Sequence, residues 1–208
     1  MPKQTFQDLP LEKKERIQSV AEEEFYQYGY QKASISRIVQ NAGIAKGSFY
    51  QYFEDKADLF RMILQEAFLR KRDHLEKVRC ARSGEDFFAL LEALYRGALS
   101  FLQAEPRLAA ISDRFMQQGD ETLKASILGD GVQKSNQFLK ELLQQAVELG
   151  SIRPDIDLDF TAHLLTSLSM SLGDYVRQQA GEEGKTVELV FFKRSEELVR
   201  LLREGIGQ

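Results

Sequence analysis

The chain of 208 residues has little of what several protein classes require. Its one cysteine, Cys80, excludes internal disulfides and any cysteine-based zinc framework. The two histidines, His74 and His163, leave little material for a metal site, so we predict neither a metal nor a cofactor. Because no apolar run approaches the roughly 18 residues of a membrane span, and the N-terminus lacks the apolar segment of a signal peptide, we expect a soluble, cytoplasmic protein.

Glycine and proline are also scarce, at 14 and 4 residues, and they fall between segments of helical periodicity. An apolar content of 43 % provides enough material for a core and excludes general disorder. The predicted fold class is therefore all-α. The helices are expected at about residues 11–28, 34–42, 44–53, 55–77, 85–103, 107–117, 121–149, 160–179 and 187–204.

The second and third of these helices flank Gly43 and predict a helix-turn-helix. Glycine suits the tight corner because it tolerates positive φ, and Ala42 is small enough for two helices to cross closely. The third helix then presents residues that can donate to phosphates or base edges, with a glycine for close approach. These residues are Lys46, Gly47, Ser48, Tyr50, Gln51 and Tyr52.

The pattern around this turn extends beyond it in both directions. It reads Ser34-Ile35-x-x-Ile38-Val39-x-x-Ala42-Gly43-Ile44-Ala45-Lys46-Gly47-Ser48-Phe49-Tyr50-x-Tyr52-Phe53, followed by Lys56 and Leu59. Over about residues 11–60 the sequence thereby resembles the DNA-binding domain of the TetR/AcrR family of transcriptional regulators. The resemblance implies a three-helix DNA-binding domain at residues 1–54 and a helical effector-binding and dimerisation domain at residues 55–208. Such regulators are bacterial homodimers, most often repressors that a small molecule releases from DNA.

The resemblance also implies roles for individual residues. The positions that meet bases or adjoining phosphates are those of Lys46, Gly47, Ser48 and Gln51. Those that commonly grip the DNA backbone are Tyr50, Tyr52 and Lys56, and Ser34 matches the hydroxyl residue that opens the bracing helix. One departure is Ala45, which stands where the family usually has a serine or threonine as N-cap. Since alanine cannot cap, we expect the recognition helix to lose about 1 kcal/mol of stability.

The charge is unevenly divided along the chain. Residues 1–72 carry 12 basic and 10 acidic groups, whereas the whole chain has a net charge of −4. A small N-terminal excess fits a protein that makes a few placed phosphate contacts. Chance accounts for so small a difference equally well.

The last two predicted helices have apolar surfaces too wide for one narrow face. A two-helix hairpin of this kind must cover its own core and a partner, so we expect a four-helix dimer interface, with two helices from each subunit. The predicted interface residues are Leu164, Leu168, Leu172, Tyr175, Val187, Val190, Phe191, Leu198 and Leu202. The alternative is that all of them belong to the core of a monomer. Twofold symmetry would predict an inverted-repeat operator.

An effector pocket is expected among the helices of residues 85–180, mostly apolar with a few polar groups. The candidate lining residues are Tyr95, Arg114, Phe115, Met116, His163, Ser167, Met170 and Asp174. Each has a structural alternative, because a histidine or methionine at helical spacing is more often core than ligand contact, and Arg114 can pair with Asp113 or Asp174. The many aromatic residues favour a hydrophobic effector.

An enzyme is not predicted. His74 and Cys80 are six residues apart, which is not the spacing of a dyad on one helix face, and the run Glu22-Glu23-Glu24 is interpreted as a solvated face. Two functions remain, both on the same fold: a ligand-responsive repressor, or a regulator that activates transcription or is controlled by a protein partner. An enclosed apolar cavity would favour the first, and an exposed apolar groove over a packed interior would favour control by a protein partner.

Overall fold

The protein is all-α, as predicted, in a computed structural model that describes residues 2–82, 84–118, 121–183 and 186–207. These residues form ten helices and no strand, apart from one isolated bridge between Ile152 and Gly207. The helices are α1 (Gln4–Gln7), α2 (Leu11–Lys32), α3 (Ile35–Asn41), α4 (Lys46–Tyr52), α5 (Lys56–Ala81), α6 (Phe87–Ala104), α7 (Pro106–Gln118), α8 (Glu121–Glu148), α9 (Leu158–Glu183) and α10 (Val187–Ile206). Among the described residues, none of these helices has the length and apolar character of a membrane span.

The chain forms two compact units. The first comprises residues 1–72 and 102–129, and the second comprises residues 73–101 and 130–208. The first unit therefore holds α1 to α4, residues 56–72 of α5, and α7, which is distant from them in sequence. The predicted functional division at residues 54 and 55 stays a prediction.

Aromatic side chains form the core of the first unit. Phe60 of α5 is 1 % exposed, and its ring centroid lies 4.7 Å from that of Phe25 and 5.0 Å from that of Phe115. Phe25 belongs to α2 and Phe115 to α7, so this cluster connects three helices. Phe49 and Phe53 extend the core to α4 and its C-terminal end, with centroids 5.4 Å apart.

The second unit has its own core, mostly aliphatic. Phe88 of α6 and Leu143 of α8 are buried there, together with Leu165 of α9 and Val199 of α10. Each of these amphipathic helices therefore buries one apolar face in a shared core, as its periodicity predicted. The bridge between Ile152 and Gly207 lies in this unit.

Two details of the N-terminal region differ from the prediction. The first helix was predicted to end at about residue 28. Gly29 does leave the helical conformation, with φ +68°, but the helix continues for three more residues to Lys32. The short helix α1 was not predicted, because four residues are too few to show a helical period.

Candidate nucleic-acid interface

The turn between α3 and α4 is a glycine-ended helix terminus of the kind that the sequence predicted. Gly43 has φ +64°, and its N–H donates to the carbonyl of Gln40 at 3.2 Å. The N–H of Ile44 donates to the carbonyl of Val39 at 3.0 Å. Together these bonds form a Schellman motif, which ends one helix and directs the chain into the next. The half-buried Ile44 packs against the core and supplies the apolar contact that accompanies this motif.

The helix α4 has two distinct faces. Phe49 is fully buried, and Phe53, which follows the helix, is buried beside it. On the other side Lys46, Gly47 and Gln51 are exposed. Of the other predicted contact residues in α4, Tyr50 is exposed and Ser48 is half-buried. The burial of one face therefore fixes which side chains α4 can offer to a partner.

The N-terminal segment closes the C-terminal end of α4. The main-chain N–H of Lys3 donates to the carbonyl of Tyr52 at 2.8 Å, and its ammonium donates to the carbonyl of Tyr50 at 3.0 Å. The hydroxyl of Thr5 donates to the carbonyl of Gln51. The three carbonyls of this last turn, which a helix cannot satisfy internally, are thus paired with one segment.

The two ends of α4 therefore differ. Ala45 is its N-cap and makes no side-chain capping bond, which confirms the departure noted in the sequence. At the other end Phe6 of α1 packs against Phe53, with ring centroids 4.8 Å apart, and anchors the closing segment. The end of α4 without a cap was predictable from Ala45, whereas the support of the other end by α1 was not.

Tyr52 is buried and Lys56 is half-buried, so both are less accessible than the exposed residues of α4. The Tyr52 ring is 6 % exposed, with the Lys13 ammonium 5.7 Å from its centroid. The Lys56 ammonium donates to the carbonyls of Ala33 at 3.1 Å and Gln31 at 3.2 Å, so it closes the end of α2. Burial lowers the pKa of Lys56, against an opposing effect of the Glu24 charge. Their phosphate contacts stay predictions, but both residues also have structural partners.

A buried carboxylate joins α2 to α3. Glu24 is 4 % exposed, and it accepts hydrogen bonds from Arg37 Nε at 2.9 Å and Nη2 at 2.5 Å. It also accepts the main-chain N–H of Ser34 at 2.7 Å. Ser34 is the N-cap of α3, as its position implied, but its side chain makes no capping bond. The Arg37 guanidinium stacks over the ring of Tyr28 at 4.1 Å, and its bond to Glu24 raises its pKa.

This arrangement corrects the interpretation of the acidic run as a solvated face. Glu22 and Glu24 are both buried, and only Glu23 is exposed. The reason is that Glu24 lies on the same face as Ala21 and Phe25, where the helix packs inward. Glu23 points outward and pairs with Arg107 of α7 at 3.1 Å.

The predicted effector residues fall into two groups. Arg114, Phe115 and Met116 lie on α7 in the first unit, where Phe115 is buried and Arg114 donates to the carbonyl of Tyr26 at 2.8 Å. The others lie on α6 and α9 in the second unit, and they are Tyr95, His163, Ser167, Met170 and Asp174.

In the second group, the Tyr95 hydroxyl is 3.0 Å from the Ser169 hydroxyl, and burial raises the pKa of Tyr95. Met170 is exposed, and Asp174 pairs with Arg177 rather than with Arg114. A cleft of about 300 Å³ opens in this unit among side chains that include Arg79, Cys80 and Leu142. None of the predicted effector residues lines this cleft, so their role in binding stays a prediction.

The predicted interface residues also differ in burial. Leu164, Leu168, Tyr175 and Val187 are exposed on α9 and α10. The others pack at least partly into cores of the second unit, and they are Leu172, Val190, Phe191, Leu198 and Leu202. The exposed group continues to Phe160 and Leu201, which are also exposed. We call the exposed part of α9 made by Phe160, Leu164, Leu168 and Tyr175 the apolar stripe.

Comparison with known proteins identifies two regions of the chain. Residues 17–63 match the family described as "Bacterial regulatory proteins, tetR family". Residues 85–206, more than half of the chain, match the family described as "Tetracyclin repressor-like, C-terminal domain". A search of curated proteins found no match.

Solved structures are similar over almost the whole chain. A TetR family transcriptional regulator from Chloroflexus aurantiacus is 32 % identical, with a TM-score of 0.61, over 100 % of this chain and 99 % of that one. FadR from Bacillus subtilis, solved with stearoyl-CoA, is 19 % identical with a TM-score of 0.66, over 90 % and 96 % of the two chains. SmeT, the repressor of a Stenotrophomonas maltophilia multidrug efflux pump, is 20 % identical with a TM-score of 0.68, over 93 % and 90 %.

These relatives are described as transcriptional regulators or a repressor. The first matched region contains the helix-turn-helix, and the second contains most of the second unit together with α7 of the first. The chain therefore belongs to the TetR family of bacterial DNA-binding transcriptional regulators.

Proposed function

We propose that the protein is a homodimeric repressor that binds an inverted-repeat operator and releases it when a small, hydrophobic effector binds. The observation that carries the proposal is the two-faced α4, which buries Phe49 and exposes Lys46, Gly47 and Gln51. A cation, a glycine and an amide suit contact with phosphates, close backbone approach and base edges, respectively. The site of action is double-stranded DNA in the cytoplasm.

The apolar stripe supports the dimer. Leu164 and Leu168 are 42 % and 41 % exposed, and Tyr175 is 50 % exposed, along one side of α9. Apolar residues exposed in a row mark an interaction surface. A second copy that covers this surface through α9 and α10 gives a four-helix interface with twofold symmetry. Two recognition helices then meet successive major grooves, about 34 Å apart.

The proposed effector follows from the family fold and the apolar second core. A similar fold binds stearoyl-CoA in FadR of Bacillus subtilis, which supports a ligand with a large apolar part. Release requires that the effector bind more tightly to a dimer whose recognition helices no longer fit the operator. If the chain proved monomeric, the apolar stripe would suit a protein partner equally well. Sedimentation of the purified protein therefore distinguishes a dimeric repressor from a regulator that is controlled by a protein partner.

The proposal is tested by footprinting the purified protein on DNA that flanks its own gene, at two salt concentrations. We expect a protected inverted repeat whose affinity falls steeply as salt increases, because phosphate contacts release counterions. The protein should first be unfolded and refolded, which removes any effector retained during purification. Genome-wide capture of bound DNA then finds operators located elsewhere, and the absence of any protected site in both experiments would contradict the proposal.

Replacing Lys46 with alanine should weaken operator binding and reduce the salt dependence, by about one unit of the log–log slope per subunit. Tyr52→Phe should also weaken binding, while the buried ring keeps its packing and the folding stability changes little. Affinity at several salt concentrations, melting temperature and sedimentation are the measurements. Both variants should remain dimeric, and a loss of dimer instead would show that these residues have structural roles.

Gly47→Ala should change folding and DNA binding in opposite directions. A methyl group at Gly47 would meet no atom within 4 Å, so the substitution should stabilise α4 by about 0.5–1 kcal/mol. The same methyl group would obstruct close approach to DNA. Urea unfolding and footprinting measure the two effects, and Gly43→Ala is the control, since φ +64° makes alanine unfavourable there. Unchanged operator affinity in Gly47→Ala would show that this glycine does not approach DNA closely.

A further inference from the structure

The cleft in the second unit has an apolar floor. It lies where α5 ends, α6 begins and α8 ends, and its volume is about 300 Å³. Phe87 and Leu90 of α6 line it together with Leu142 and Ala146 of α8, and each of these residues is at most 9 % exposed. Sites for small molecules are mostly apolar and begin at about this volume. The cleft therefore suits a small ligand with a compact apolar body.

Leu149 adds an apolar surface at the edge of the cleft. It lines the cleft and is nevertheless 64 % exposed. The N–H of Gly150 donates to the carbonyl of Val147 and the N–H of Ser151 to that of Ala146, both at 3.0 Å, and Gly150 has φ +72°. These bonds form a Schellman motif, which fixes the backbone at the end of α8. A ligand in the cleft would cover the Leu149 side chain, and removing this apolar surface from water favours binding.

Two arginines provide hydrogen-bond donors in the cleft. Arg79 and Arg82 both line it, together with one carboxylate, that of Glu85. Arg82 donates to Glu85 through Nη1 alone, at 3.1 Å and 3.4 Å, so its Nε and Nη2 make no bond within the described part of the chain. These two nitrogens form one edge of the planar guanidinium, and such an edge matches the two oxygens of a carboxylate.

The other charged groups that act on these arginines lie outside the cleft. Arg79 donates to Glu76 through Nε at 2.9 Å and through Nη2. These bonds, and to a smaller extent the charge of Glu141, raise the pKa of Arg79. Both arginine–glutamate pairs join residues three apart and are partly exposed, so they contribute little to stability. A ligand carboxylate can therefore bind the unused edge of Arg82, whereas a ligand cation would find only Glu85, which is already paired.

We infer that the cleft binds a small carboxylate with an apolar body, whose carboxylate pairs with Arg82 and whose apolar part covers Phe87 and Leu149. The binding is non-covalent. None of the predicted effector residues lines the cleft, so this site goes beyond the proposed function and does not depend on an operator.

The first test compares three probes that share one alkyl chain and differ in charge: octanoate, octanamide and octylamine, at neutral pH. Calorimetric titration of the full-length protein should show binding of octanoate, with octanamide and octylamine at least about fivefold weaker. The difference is expected because only the carboxylate is an anion that can accept from both nitrogens of the Arg82 edge.

Cys80 reports where the probe binds. It is the only cysteine of the chain, it is exposed, and it lines the cleft. Octanoate should therefore slow the alkylation of Cys80 by iodoacetamide in proportion to its occupancy, and octylamine at the same concentration should have little effect. Octanoate bound elsewhere, for example on the apolar stripe, would leave the alkylation rate unchanged.

Arg82→Met should weaken octanoate about threefold to tenfold, to the affinity of octanamide, with the melting temperature nearly unchanged because Arg82 is exposed. Arg82→Lys keeps the charge without the planar fork and should recover only part of the affinity. Arg96→Met is the matched control: Arg96 is an exposed arginine of the same unit, pairs with Glu196 at 3.5 Å and does not line the cleft. This variant should leave octanoate affinity unchanged.

Several results would overturn the inference. They are an absence of octanoate binding, equal affinity for octanamide or octylamine, an alkylation rate that octanoate does not change, and an Arg82→Met variant that binds octanoate as tightly as the unaltered protein. Footprinting of the operator uses none of these probes, so the proposed repressor function and the carboxylate site succeed or fail separately.

Discussion

Replacing Phe60 with alanine is expected to lower the free energy of unfolding by about 3–5 kcal/mol. The ring is 1 % exposed and lies between Phe25 and Phe115, with centroids 4.7 Å and 5.0 Å away. Its removal would leave a cavity among three helices, and the surrounding rings can fill it only partly. Since a typical domain is stable by about 5–15 kcal/mol, the variant should lose its operator binding when mildly warmed. Urea unfolding followed by circular dichroism measures the loss.

Leu69→Ala is a control on the same helix, because Leu69 is exposed and its truncation should change stability by less than about 0.5 kcal/mol. Phe115→Ala tests the earlier assignment of Phe115 to the effector pocket. A core role predicts a loss of stability similar to that of Phe60→Ala, whereas an effector contact predicts weaker effector binding with little loss. A loss below about 1 kcal/mol for Phe60→Ala would contradict the packing described for the first unit.

The second large effect is expected for Arg37→Met, which should lower the melting temperature by roughly 5–10 °C. The substitution leaves Glu24, 4 % exposed, as a buried carboxylate without its hydrogen-bonded cation, and only the more distant charge of Lys56 then acts on it. The N–H of Ser34 remains as a donor at 2.7 Å, but a main-chain amide does not neutralise the charge. Because Arg37 also holds α3 in place, operator affinity should fall at the same time.

The double variant Glu24→Gln with Arg37→Met distinguishes an unpaired charge from a loss of packing. Removing both charges eliminates the buried carboxylate, so the double variant should recover much of the melting temperature lost in Arg37→Met. Comparing the single and double variants gives the coupling between the two side chains. A melting temperature for Arg37→Met equal to that of the unaltered protein would show that solvent satisfies Glu24 without the arginine.

The helices and the helix-turn-helix could be predicted because their signals are local. Gly43, Ala45 and the apolar positions of α3 and α4 lie within about one turn of the features they determine, and the structure confirms the turn and the uncapped end of α4. The exposed recognition face follows from the same local period, since Phe49 and Phe53 one turn apart require it to point outward.

The parts that could not be predicted depend on residues far apart in sequence. Glu24 accepts a hydrogen bond from Arg37, which is 13 residues away in sequence. The Lys3 ammonium donates to the carbonyl of Tyr50, which is 47 residues away. Periodicity also cannot tell which core a helix joins, so Arg114 and Phe115 of α7 were grouped with the effector domain, although they pack in the first unit.

The closing of α4 by the N-terminal segment has a consequence for the lifetime of the recognition surface. A helix of seven residues is far below the roughly 12–15 that an isolated helix needs to persist in water. Release of Lys3, Thr5 and Phe6 would free three carbonyls and one buried ring together, so the segment and the end of α4 should open as one cooperative unit. The lifetime of the proposed DNA-binding face between such openings is therefore set by residues at the C-terminal end of α4, outside that face.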